Sequence, residues 1–210
     1  MTCDVISTGS KGNATVLGGV ILIDAGVPFK KLEPYVKDLC IVFLTHRHGD
    51  HFNPATVRRL HKERPALRFG CCEWMVEPLI VAGVPAARID VYTMGLEYSY
   101  GSASVEVFPL YHDVENCGYK IALGGKRILY ATDTGTMDHV EAKAFDLYMI
   151  EANHTEAELS ERIRRKTEAG EFVYENRVQG THLSREAADL WLAMNAGPNS
   201  EVVYLHGHEE

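Results

Sequence analysis

Between Cys40 and His51 the chain passes from an unbroken apolar run, Cys40-Ile41-Val42-Phe43-Leu44, into Thr45-His46-Arg47-His48-Gly49-Asp50-His51. No other stretch constrains the fold so tightly. An apolar run of strand length without polar alternation is expected for a strand covered on both faces. Asn53-Pro54 then supplies a helix N-cap with proline at the first helical position, so a helix should run to about Arg64. The polar cluster thus sits in a strand-to-helix loop, with four residues of metal-ligating type in six positions. In an extended loop alternate residues point the same way. His46 and His48 can therefore grip one metal while Asp50 and His51, at the turn into the helix, face a second.

The rest of a two-metal site should come from other strand ends. His112 follows Phe108-Pro109-Leu110, Asp133 follows Ile128-Leu129-Tyr130, and His206 follows Val202-Val203-Tyr204-Leu205, each the first ionisable group past its strand. Asp133 is the best bridging group, because two oxygens of one carboxylate can hold cations roughly 3.5–4 Å apart. Asp24 ends a strand before Gly26 and reads as a residue that orders the ligand loop through hydrogen bonds. His61, His139 and His154 read as structural or solvated, and Trp74 and Trp191 as core.

Short β segments are expected at 3–6, 14–17, 20–24, 91–94, 105–110, 119–123, 127–132, 145–151 and 202–205, with Gly18-Gly19 and Gly124-Gly125 turning hairpins. A second helix is expected at 73–82, closed by Gly83. A third, very polar one opens with the capping box Thr155-Glu156-Ala157-Glu158. The last, from about Ser184 to Asn195, should set Ala187, Ala188, Leu190, Trp191 and Met194 on one face. β-meander, helix pair, second meander and then alternating helix and strand suggests two sheets sandwiched between helices. With no linker or repeat, residues 1–210 read as one domain.

Composition removes several classes. The formal charge of -8 over 210 residues does not suit non-specific attraction to long nucleic acid. Met1 to Ser10 lacks the pattern of a signal peptide, and no apolar segment approaches a membrane span. The five cysteines, odd in number and without a CxxC pair, fit reduced thiols in a cytoplasmic protein, each a small buried apolar residue. Arg162, Arg164, Arg165 and Lys166 lie on the polar helix, either as a solvated face or as an arm towards substrate or a second subunit.

The chain resembles the metallo-β-lactamase superfamily. The residues carrying the resemblance are Leu22-Ile23-Asp24-Ala25-Gly26, His46-Arg47-His48-Gly49-Asp50-His51, His112, Thr132-Asp133-Thr134-Gly135 and the terminal strand with His206. It implies an α/β fold, the αβ/βα four-layer sandwich, with two divalent metal ions, zinc or manganese. Ser7-Thr8-Gly9-Ser10-Lys11-Gly12-Asn13 is similar to the opening turn of the phosphodiesterase branch, which includes tRNase Z, small bacterial exonucleases and phage cyclic-nucleotide phosphodiesterases. Ile150-Glu151-Ala152-Asn153 and His182-Leu183-Ser184 are similar to two tRNase Z segments. Carried over, His182 is the proton donor, Glu151 supports it, and His206 is the last ligand, with His208 the alternative.

The expected sets are His46, His48 and His112 on one metal, Asp50, His51 and His206 on the other, and Asp133 between them. The expected reaction is phosphodiester hydrolysis by a metal-bridged hydroxide that Asp50 orients. Its substrate would be a nucleotide, a cyclic nucleotide or a short nucleic-acid end, the acidic charge favouring a small one. A thioester, lactone or β-lactam hydrolase is the alternative, and the dimers common in this branch imply a homodimer.

Overall fold

A computed structural model describes residues 2–207. The chain divides between Val107 and Phe108 into two compact units. The first opens with an antiparallel meander, β1 (Cys3–Ser7), β2 (Ala14–Leu17) and β3 (Ile21–Ile23). Gly18 and Gly19 turn β2 into β3 at φ 57° and 72°, left-handed values that cost glycine little. After a single-turn helix α1 (Phe29–Leu32) the chain enters β4 (Ile41–Leu44), buried at every position and parallel to β3. Helix α2 (Pro54–Glu63) starts where Asn53 Oδ1 accepts hydrogen bonds from the amides of Ala55 (3.0 Å) and Thr56 (3.2 Å). β5 (Arg68–Cys72), α3 (Val76–Val81) and β6 (Ile89–Tyr92) complete a six-stranded sheet in the order β1 to β6. The hairpin β7 (Glu97–Tyr100) and β8 (Ala103–Tyr111) follows.

In the second unit β9 (Glu115–Leu123) and β10 (Lys126–Ala131) form a hairpin through Gly124 and Gly125. β11 (Leu147–Glu151) and β12 (Glu201–Leu205) add in parallel, completing a second mixed sheet ordered β12-β11-β10-β9-β8-β7. Helices α4 (Glu156–Glu168), α5 (Glu175–Thr181) and α6 (Arg185–Asn195) lie between β11 and β12. Each unit has its own apolar core. One is built on Val16, Leu22, Val42, Leu44, Leu60 and Phe69, the other on Leu129, Ala131, Tyr148, Ile150, Ala188 and Trp191.

The chain departs from the sequence expectations in several places. β5 has no recognisable strand pattern because Gly70 interrupts it; the ring of Tyr92 covers that glycine, where a Cβ would lie 2.2 Å from the Tyr92 hydroxyl. The helix expected at 73–82 enters through a 3-10 turn at Glu73–Met75. Pro78 then falls in the first turn of α3, where its missing N–H is tolerated. β7 and the short α5 were not expected. In α6 the buried stripe is Ala188, Trp191, Leu192 and Asn195, and Leu190 and Met194 are exposed. Asn195 sets that rotation: it belongs inside because its side chain bonds Ala142 N and Trp191 O. Cys40 is exposed rather than buried, since it precedes β4 in the turn, and Cys3 is half-buried; Cys71, Cys72 and Cys117 are buried, and none of the five is in a disulfide.

Beside β5, Arg68 forms a bidentate ion pair with Asp90, which also accepts a hydrogen bond from Tyr100 Oη at 2.9 Å. Burial opposes ionisation of Asp90, but the hydrogen bonds from Arg68 and Tyr100, together with the arginine charge, outweigh it and hold the carboxyl below its usual range. A carboxyl depressed in the folded state stabilises above its unfolded pKa and loses that contribution as pH falls through the folded value. Wild type should therefore lose more Tm than Asp90→Asn on going from about pH 5 to about pH 3. Parallel Tm curves in thermal melts would contradict this.

Candidate metal centre

In the first unit a cluster of candidate ligands and their partners is assembled from the ends of β3 and β4. Asp24, the residue after β3, is fully buried in a left-handed conformation (φ 59°). Its Oδ1 accepts from Thr45 N (3.0 Å) and Thr45 Oγ1 (3.0 Å), and its Oδ2 faces His51 Nδ1 at 2.7 Å. Burial pushes this carboxyl above its usual range, and the neighbouring His51 and Thr45 offset only part of that. Thr45 Oγ1 also lies 3.0 Å from His46 Nδ1. With Thr45 donating to Asp24, its oxygen accepts from that nitrogen. Both buried imidazoles thus carry their proton on Nδ1 and keep the lone pair on Nε2, that of His51 accepting a hydrogen bond from Asn13 Nδ2 at 2.7 Å.

The loop is held from the other side as well. Asn13 N donates to Asp50 O (2.6 Å), Ala25 N to His51 O (2.9 Å) and Asn53 N to Ala25 O (3.1 Å). Gly26 lets these chains meet: a Cβ there would lie 1.8 Å from Asp50 O. Rings of His46 and His48 are 4.9 Å apart, those of His46 and His51 4.2 Å, and Asp50 Oδ2 lies 3.7 Å from His51 Nε2. All four loop residues singled out from the sequence are therefore together.

In the second unit Asp133, just past β10, and His206, just past β12, are also left-handed, at φ 56° each. Asp133 Oδ2 accepts from Thr132 Oγ1 (3.0 Å), and its Oδ1 lies 3.4 Å from both His206 Nε2 and His182 Nδ1. Glu151, the last residue of β11, is fully buried; Oε1 is 2.6 Å from His182 Nδ1 and Oε2 accepts from Thr134 N (2.8 Å) and Leu183 N (3.2 Å). His182 and His206 stack at 5.2 Å and 10°. One ligand atom from each of Asp133, Glu151, His182 and His206 falls within 4.8 Å of the others. His112 lies with them, its ring 4.9 Å from that of His182 and its Nδ1 2.9 Å from Thr181 O. His208 lies outside the described residues.

Residues 20–206 match the family model described as the β-lactamase superfamily domain. The chain belongs to the metallo-β-lactamase superfamily. Over 164 residues it is 25% identical to the exodeoxyribonuclease YycJ of Bacillus anthracis, a match covering 71% of this chain and 62% of that protein, so this chain accounts for about three-fifths of that relative's length. The metallo-β-lactamase fold protein YhfI of Bacillus subtilis superposes with a TM-score of 0.73 at 16% identity, covering 99% of this chain and 86% of the other. The short form of human tRNase Z does so at 0.71 and 16%, covering 100% and 93%. These likenesses establish the sandwich fold of the superfamily.

The donors present fit the metals of this superfamily. They are imidazole nitrogens and carboxylate oxygens, the set that suits zinc and manganese. Buried partners fix the tautomers of His46 and His51 before any cation arrives. The residues that sequence reasoning missed are those partners. Thr45 bridges Asp24 and His46, and Asn13 lies 2.7 Å from His51 Nε2. Asn116 donates to Thr132 O and Asp133 O (2.9 and 2.7 Å), and Asn153 donates to His206 O at 3.2 Å. Asn13, Thr45 and Asn153 stood in stretches that drew notice, and nothing there marked their roles. Of the histidines read as structural, His139 is exposed with Nε2 on Pro109 O, His61 is half-buried in α2, and His154 is buried beside Asn153.

Proposed function

We propose that the chain is a metal-dependent phosphodiesterase, with residues 1–210 acting as one hydrolase domain. Its substrate is a nucleotide, including cyclic nucleotides, or a short nucleic-acid end. The observation that carries the reading is the pairing of His182 with a fully buried Glu151 at 2.6 Å. Glu151 already accepts two backbone amides, so its position is fixed, and it takes the Nδ1 proton of His182. That leaves Nε2 of an imidazole still 16% exposed to protonate a departing alkoxide. A thioester hydrolase, whose thiolate leaves without protonation, has less need of such a donor.

His46, His48 and His112 would hold one cation, Asp50, His51 and His206 a second, and Asp133 both. Bound divalent cations acidify water and neutralise charge on phosphoryl oxygens. Asp50 orients the attacking water and His182 delivers the proton. Elemental analysis is expected to give two metals per chain, and Asp133→Asn to give fewer than two with lower activity. Substrates to assay, with zinc or manganese added, are bis-p-nitrophenyl phosphate, cyclic nucleotides, short single strands and nitrocefin. Turnover of nitrocefin or esters alone would overturn the phosphodiesterase reading.

We further propose a cytoplasmic homodimer with the 155–170 segment near the partner. In support, α4 buries only Leu159, and Phe172 beyond it is 86% exposed. Five cysteines without a disulfide suit a reducing compartment, and among the described residues no helix is long and apolar enough to cross a membrane. Light scattering should give twice 23.4 kDa; a monomer would remove the dimer.

A further inference from the structure

His182 does not face only the carboxylates. It also lines a cavity of about 350 Å³ walled by α4, α5 and the start of α6. On α4, Leu159 and Ile163, one turn apart, give the cavity an apolar wall, and Ser160 and Gln179 bring a neutral hydroxyl and a neutral amide from exposed positions. Glu156 is the one carboxylate, and no lysine or arginine stands among the described lining residues. Lys166 and Glu175, paired at 2.7 Å, tie α4 to α5 and hold the walls together.

This lining suits a phosphate poorly, which would meet the Glu156 carboxylate with no lysine or arginine and only the imidazoles of His154 and His182 to offset it. It suits an uncharged ring with hydrogen-bonding edges. Pockets for small ligands begin at roughly 300 Å³, so the space admits one nucleoside and no more. If His182 protonates the departing oxygen, whatever hangs from that oxygen is carried on the His182 side of the site, where the cavity opens. We propose that this cavity is the leaving-side subsite of the enzyme, that it takes a single nucleoside, and that Gln179 and Ser160 are specificity-determining residues for its base. The assignment of a leaving side rests on the phosphodiesterase reading above; the binding of a nucleoside here does not.

The test compares thymidylyl-(3′→5′)-thymidine, which releases a nucleoside, with bis-p-nitrophenyl phosphate, which has none. Ser160→Trp fills the cavity from its rim, and Gln179→Ala removes the amide. Each variant is expected to lower the ratio of kcat/KM for the dinucleotide to that for the aryl ester, Ser160→Trp by about tenfold or more and Gln179→Ala by less. An unchanged ratio in both variants overturns the subsite. Independently of turnover, thymidine titrated into methyl-labelled protein should shift the Ile163 methyl resonances in wild type and not in Ser160→Trp. Absence of that shift in wild type overturns the cavity as a nucleoside site. If wild type cleaves no phosphodiester yet the Ile163 shifts appear, the cavity stands and the phosphodiesterase reading falls.

Discussion

His182→Ala is expected to lose roughly 10²–10⁴ in kcat on a dinucleoside monophosphate, the usual contribution of a well-placed general acid. On bis-p-nitrophenyl phosphate it should lose far less. An alkoxide leaves poorly without a proton, whereas p-nitrophenolate departs readily, so the two substrates separate protonation from every other role of the ring. Glu151→Gln should follow the same pattern more weakly, because the carboxylate orients and charges the imidazole without donating the proton itself. Metal content measured alongside decides between roles, since His182 lies 3.4 Å from Asp133 Oδ1. Equal losses on both substrates, with metal falling below that of wild type, would make His182 a ligand and reopen the assignment of His206.

Asp24→Asn should weaken metal binding by roughly 10–100-fold, the range found when a partner behind a metal-ligating histidine is removed. The substitution is chosen so that the backbone is spared: asparagine accepts the left-handed conformation at φ 59° nearly as well as aspartate. What changes is the atom facing His51 Nδ1 at 2.7 Å. With an amide N–H there, the imidazole accepts at Nδ1 and its proton moves to Nε2, covering the lone pair a cation needs. Competition against a chromophoric chelator reads the affinity, and long-range 15N–1H correlation of the histidine rings in metal-free protein reads the tautomer. Wild-type affinity with an Nδ1-protonated His51 in the variant would show that Asp24 merely fills space.

Much of the framework can be read from the sequence where local chemistry and tertiary demand agree. The apolar run into β4, the Asn53-Pro54 start of α2, the glycine pairs at the hairpins and the Thr155 capping box are decided within a few residues. Elements decided by remote neighbours are opaque. β5 exists because β4 and β6 pair with it, and its Gly70 makes sense only beneath Tyr92. α5 shows no apolar stripe, because what anchors it is a buried carboxylate, Glu175, held by Lys166. The candidate donors are visible because they cluster in a loop or follow strands. Their hydrogen-bond partners are not: an asparagine that donates to a carbonyl tens of residues away leaves no periodicity.

The left-handed backbone at Asp24, Asp133 and His206 sets fold stability against chemistry. A non-glycine residue held there costs of order 1 kcal/mol or more, which surrounding structure must offset. Glycine would relieve that cost at Asp133 and His206 and erase the side chains proposed to bind metal. Selection of random variants for heat resistance alone, in chelator, should therefore enrich glycine at these two strand ends. The same selection with metal and turnover required should keep Asp133 and His206, and any stability gained there must arise elsewhere in the chain.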